Sequence, residues 1–175
     1  MGPVRKPTTT IELRDGLTVV LRPIDDGDRQ ALHAYLDGLG PMARQRRFLQ
    51  ALPHVPDRLL NMLTAPAATT LVLVAMHGEE IIGEAILGPD AHDPAVAHIG
   101  YSVAERVRRR GLGRAMVGRL LEVAGDRGVS TVRADMAADN HPSAALLSGL
   151  GAAMRFEDGL IVAELECCPR HLVAA

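Results

Sequence analysis

The sequence predicts one α/β domain built on a mixed, mostly antiparallel sheet of six or seven strands with about four flanking helices. Three observations carry this expectation. The chain has 175 residues, 47% of them apolar, which suits a single core able to bury roughly 70% of the unfolded surface. Strand-like and helix-like segments alternate along it without internal repeats or low-complexity linkers. Only one strand-helix-strand crossover, over residues 96–137, demands parallel neighbours, so the other strands can pair antiparallel.

Residues 1–10 are rich in Pro, Thr and basic side chains without periodicity and read as an N-terminal tail; 11–168 form the domain and 169–175 a C-terminal tail. A β-rich run at 17–22 opens the domain. Residues 25–38 follow as a helix, with Leu32, Tyr35, Leu36 and Leu39 at helical spacing and Asp25 or Asp26 to cap it. Pro53 and Pro56 interrupt the next helical region, 41–63, and divide it into two short helices. The runs 71–76 and 81–87, joined by His77-Gly78, read as a hairpin, and a further strand, 96–103, follows the loop GPDAHDP. Leu112, Met116, Leu120 and Val123 then fall on one helical face, with Gly128 placed to end that helix. A strand at 131–137, a short helix at 142–150 and closing strands at 152–156 and 160–166 complete the order.

Composition narrows the chemistry. The net charge of -2 argues against a surface that wraps nucleic acid, and four aromatic residues without Trp leave little for stacking bases. Lys6 is the only lysine among the 19 basic residues, and it sits in the tail, so Schiff-base and P-loop lysine chemistry are excluded. The adjacent pair Cys167 and Cys168 is wrongly spaced for zinc and too small for a disulfide framework; His33, His54, His77, His92 and His141 show no ligand spacing, so no metal is expected. No stretch reaches the ~18 apolar residues of a membrane span, and the first residues lack a secretory core, so a cytoplasmic protein without a membrane partner is expected.

The strongest chemical signal is the junction after the strand 96–103, where Arg106, Arg108, Arg109 and Arg110 precede Gly111-Leu112-Gly113 and a helix. Small residues let the backbone turn closely around a ligand, and the N–H groups and dipole of a helix start favour phosphate. The same residues also read as a solvated basic turn. The junction fits neither the three-glycine dinucleotide fingerprint nor the P-loop.

Here the sequence resembles the GCN5-related N-acetyltransferases, whose acetyl-CoA loop reads Gln or Arg, two residues, Gly, one residue, then Gly or Ala. Arg108, Gly111 and Gly113 match that pattern, and Asn140, Ser143, Leu146 and Gly151 match a second family segment. The opening LRPIDDGDRQALHAYLDGLGPMARQRRF is similar to the acetyltransferase domain of bacterial protein-lysine acetyltransferases at Arg22, Pro23, Ile24, Asp28, Leu39, Pro41, Arg47 and Phe48.

The resemblance implies a bulge in the strand 96–103 that splays it from 131–137, with acyl-pantetheine in the gap. Ser102 and Val103 would offer it backbone groups, and an amide near the bulge would polarise the thioester carbonyl. Gly111 to Arg114 would hold the pyrophosphate with Arg108 or Arg109, and Asn140 belongs to the cofactor-binding set. The cosubstrate implied is acetyl-CoA and the acceptor an amine, a protein lysine ahead of a small molecule, attacked directly without a covalent enzyme intermediate.

A lysine-like ammonium, with a pKa of ~10.4, must lose a proton before it attacks. Related protein acetyltransferases often place a Glu for this on the strand where this chain has His98, and a histidine near ~6.5 suits the task. Glu84 on the neighbouring strand is the alternative base; each also reads as a structural residue. The family's acid, a Tyr seven residues after the Asn, is Leu147 here, which leaves Ser143, Ser148 or water to serve the leaving thiolate. The combined absence of Glu at 98 and Tyr at 147 motivates a rival reading, a noncatalytic acyl-CoA-binding module. Tyr101 reads as core, Asp25, Asp26 and Asp28 as caps or a lure for a cation, and Asp135 and Asp139 as amine ligands or solvated loop residues. Pairing through terminal strands offers a route to a homodimer.

Overall fold

The structure, a computed structural model, describes residues 8–167. Cys168, the C-terminal tail and most of the N-terminal tail lie outside the described residues. Eight strands form one sheet: β1 (Thr9–Glu12), β2 (Thr18–Pro23), β3 (Leu71–His77), β4 (Glu80–Pro89), β5 (Val96–Val103), β6 (Thr131–Ala137), β7 (Ala153–Glu157) and β8 (Leu160–Glu166), in the order β1-β2-β3-β4-β5-β6-β8-β7. Only β5 and β6 run parallel, joined by the expected crossover. Five helices flank the sheet: α1 (Arg29–Gly38), α2 (Pro41–Phe48), α3 (Asp57–Thr64), α4 (Leu112–Asp126) and α5 (His141–Ser148).

Two differences from the expected elements have local causes. β1 takes in Thr9 and Thr10, which pair with Leu21 and Val20 although nothing in their apolar pattern marks a strand. The helix expected from residue 25 starts as a 3-10 turn over Asp26–Asp28. Asp25 caps it by accepting the Gly27 N–H, while Asp28 accepts the Asp25 N–H and holds Arg22 through two bonds of 2.6 and 2.7 Å. That arrangement assigns Asp25 and Asp28 to capping and to Arg22.

β3 and β4 are buried on both faces, which explains their nearly continuous apolar sequence. Leu73, Ala75, Ile82 and Leu87 join a core with Met116, Leu120 and Leu147, whereas Val72, Val74 and Met76 join a second with Leu32, Leu36 and Leu63. The sheet is thus the middle of three layers. No helix among the described residues is long and apolar enough to cross a membrane.

Candidate active site

The sheet opens in its middle. β5 and β6 pair at Val96↔Thr131, Ala97↔Val132 and His98↔Arg133, and beyond His98 the two strands part. The expected bulge in β5 is absent, because its register with β4 runs unbroken from Gly83↔Val103 to Pro89↔Ala97. Two bonds fix the phase of that ladder: Ala104 N–H to Ile82 C=O (2.9 Å) and Asp90 N–H to Val96 C=O (3.1 Å). Alternate residues of an antiparallel strand bond to the partner while those between turn away. Gly100 and Ser102 therefore bond to β4, the Ile99 N–H closes the last rung with β6 at His98↔Arg133, and the backbone groups of Tyr101 and Val103 turn to the gap. Sequence reasoning placed Ser102 among the gap-facing groups; the ladder phase gives that place to Tyr101.

At the open end of the gap lies the start of α4. Arg109 and Gly111 both take left-handed backbone angles, φ 63° and 97°. Such alternation turns successive N–H groups toward one point. The first bond of the helix runs from Ala115 N–H to Gly111 C=O, so the N–H groups of Leu112, Gly113 and Arg114 have no acceptor within it. The arginines around this start differ in occupation. Arg106 pairs with Glu80 and Arg110 with Asp15, Arg108 Nε donates to Val103 C=O at 3.3 Å, and Arg114 donates to Gly149 C=O at 3.1 Å. The exposed Arg109 forms no side-chain bond among the described residues. Arg14, which sequence reasoning missed, lies against Gly111: its N–H bonds the Arg110 carbonyl at 3.2 Å and its Nε comes within 3.9 Å of where a Gly111 Cβ would stand. A turn between two strands gives no sequence signal of that docking.

Gly113 serves packing. A Cβ there would lie 3.0 Å from Leu146 Cδ1, so the glycine lets α5 approach α4. Asn140 caps α5, its Oδ1 accepting the Ser143 N–H at 3.4 Å. Leu147 is fully buried in the core, so its position holds no group that could meet a leaving thiolate. Burial pushes the Tyr101 phenol up, with Ser143 beside it acting in the opposite sense.

Under the inner end of the gap lies a buried polar network. Glu84 is 0% exposed and pairs with Arg47, whose Nε meets Oε1 and whose Nη2 donates to Oε2 at 3.0 Å. Ser102 Oγ donates to Glu84 Oε1 at 3.0 Å and lies 2.9 Å from the Tyr35 hydroxyl. Burial opposes the Arg47 charge, but Glu84 overrides it and holds the guanidinium above its ordinary value. Arg47 reaches Glu84 by crossing β5 at Gly100, where a Cβ would fall 2.6 Å from Nη1.

Above this network a cleft of about 320 Å³ is lined by Arg47, Phe48, Leu49, Ile86, His98 and Asp135, among others. The His98 side chain is 39% exposed, and its Nε2 lies 2.7 Å from Asp90 Oδ2. That bond, backed by two backbone N–H groups, holds the Asp90 carboxyl well below the usual carboxylate range. Asp135 pairs with Arg133, and Asp139 with Arg46. Of the candidate residues, a larger cavity of about 460 Å³ along α5 and β7 contains Ser148 alone, away from His98 and the arginine loop. Among the described residues no His, Cys, Asp and Glu cluster fits a metal.

The family model described as the acetyltransferase (GNAT) family matches residues 24–152. Among solved structures the chain is similar to the GNAT domain of S. lividans PAT, with a TM-score of 0.85 and 22% identity over 91% of this chain and 96% of that one. It is also similar to Mycobacterium smegmatis RimJ in complex with CoA-disulfide, with a TM-score of 0.68 and 20% identity over 95% and 90% of the two chains. A cAMP-binding acyltransferase from Mycobacterium smegmatis matches at a TM-score of 0.66 and 22% identity; 97% of this chain spans 50% of that protein.

Proposed function

The chain belongs to the GNAT acetyltransferase family, and we propose that it carries the acetyl group of acetyl-CoA to an amine, a protein lysine ahead of a small molecule, by direct attack in a ternary complex. The observation that carries this reading is the alignment of three features along β5: a helix start with open N–H groups, a strand gap with unpaired backbone, and a cleft holding His98.

Each part fits one portion of the donor. Leu112 to Arg114 N–H groups and the Arg109 and Arg14 guanidiniums suit a pyrophosphate, with Arg108 fixed nearby on Val103. The gap-facing groups of Tyr101 and Val103 suit the amides of a pantetheine arm, which would lie there as a ninth strand. The gap-facing amide of Tyr101 is the candidate for polarising the thioester carbonyl. Gly113 contributes by bringing α5 close, and Asn140 by capping it.

His98 is the base in this reading. Glu84 lies beneath Arg47 with both oxygens engaged, so its role is to hold Arg47 in the cleft wall. Phe48, Leu49 and Ile86 supply apolar walls for a hydrocarbon arm, and Asp135 a carboxylate near its ammonium, which suits lysine. The thiolate leaves without a Tyr at position 147, and water, Ser143 or Ser148 is left to pass it a proton.

Calorimetric titration with acetyl-CoA tests the donor site. Saturable binding by the wild type is expected, weakened about 10-fold or more when Arg109→Ala and Arg14→Ala are combined, since each removes a charge-assisted contact. No binding by the folded wild type would overturn the assignment. A panel of lysine peptides and small amines then tests the acceptor: turnover of small amines alone removes the lysine preference, and binding without any turnover leaves the noncatalytic module.

A further inference from the structure

The loop between β4 and β5 is tied by two carboxylates, Asp90 and Asp93. Asp90 Oδ1 accepts the N–H of His92 at 2.8 Å and of Asp93 at 2.9 Å, while Asp93 Oδ1 accepts the Ala95 N–H at 2.9 Å. The Asp90 N–H to Val96 C=O bond closes the hairpin. His98 lies two residues beyond Val96, on the same strand face, and so comes beside Asp90. The remaining carboxylate oxygen, Oδ2, is taken by His98 Nε2.

We propose that Asp90 is a positioning residue: resting on the reading of His98 as base, it fixes the imidazole with the proton on Nε2 and the lone pair on Nδ1, ready for the acceptor ammonium. An ionised carboxylate only accepts hydrogen bonds, so Nε2 must donate. A neutral imidazole carries one proton, which leaves Nδ1 as the basic nitrogen. The low-lying Asp90 carboxyl agrees with a carboxylate that stays ionised throughout. In the reaction, Nδ1 takes one proton from the ammonium, and the amine lone pair then forms the C–N bond as the C–S bond breaks. The sulfur leaves as thiolate and receives the second nitrogen proton, giving amide, free thiol and imidazolium.

Two substitutions at Asp90 separate this role from loop bracing. Asp90→Asn can keep the Oδ1 contacts to His92 and Asp93 but presents an amide N–H to Nε2, favouring the opposite tautomer. Asp90→Ala loses the loop contacts but leaves the imidazole free to sample both tautomers. The expected order is therefore inverted from a structural one: kcat falls about 100-fold or more in Asp90→Asn and about 10-fold in Asp90→Ala, with the KM for acetyl-CoA unchanged. Nitrogen-15 NMR of histidine-labelled wild type, without substrate, should show His98 protonated on Nε2. A retained or higher kcat in Asp90→Asn relative to Asp90→Ala overturns the proposal, as does an Nδ1-protonated tautomer in an active wild type. A wild type that acetylates no amine overturns the acetyl-transfer reading and, with it, the role of His98 as base. The tautomer, read without turnover, tells the two failures apart.

Discussion

Glu84 and Arg47 are the residues whose roles the structure changes most. By position Glu84 is a strand carboxylate next to the cleft, which is why it reads as a possible base. Its closure depends on Arg47, 37 residues away in sequence, crossing a glycine at position 100. No local pattern reports that crossing. Removing one partner of a buried ion pair strands the other charge, so Glu84→Gln should destabilise the fold by about 3–5 kcal/mol in urea titration. The double change Arg47→Met, Glu84→Leu should recover most of that loss. Equal stability of the single and double variants would show that the pair is not the source. His98 and the arginine loop came into view through the family resemblance, which points to single positions in the sequence; the roles given to them here are proposals. Asp90 and Arg14 did not come into view, since each acts only after a hairpin brings it beside its target.

The elements divide the same way. β5, β6 and β8 agree with the sequence to the residue because apolar alternation and burial coincide there. β1 has no residue in the buried class and a Thr-rich sequence, so only its ladder with β2 defines it. The gap is a pairing property of two strands, invisible in either alone, and the bulge expected there proved unnecessary: the crossover simply ends its pairing at His98. The ladder phase makes a measurable statement about β5. The amides of Ile99, Gly100 and Ser102 should resist hydrogen exchange, while those of Tyr101 and Val103 exchange faster and become protected when acetyl-CoA is added. Uniform protection along β5, with and without acetyl-CoA, would contradict the open gap.

At the scale of the whole molecule, one sheet serves two cores, and the network of Arg47, Glu84, Ser102 and Tyr35 sits where α1 and α2 meet its centre. Fold class and element order were readable because they depend on periodicity; the two-core division also needs the strand order. Acid should act on this molecule partly through Asp90. Its carboxyl is lowered in the folded state, so the associated stability is present above the ordinary aspartate value of ~3.9 and fades as pH falls through the lower folded one. The gap in urea midpoint between wild type and Asp90→Asn should therefore be wide at pH 6 and shrink below about pH 4. A difference independent of pH would mean that the carboxylate charge is not involved.

The parting of β5 and β6 has a consequence for solubility. Strand rims with unpaired backbone ordinarily recruit other chains and seed aggregates, and an interrupted sheet has two more of them than a continuous one. Here α2 packs against both β5 and β6 from one face while α4 covers β5 from the other. Helices over both faces leave less room there for a polypeptide strand, with side chains projecting above and below, than for a slender arm carrying its own amides. The molecule thus keeps an internal template for strand addition that is shielded from other proteins by the bulk of their side chains.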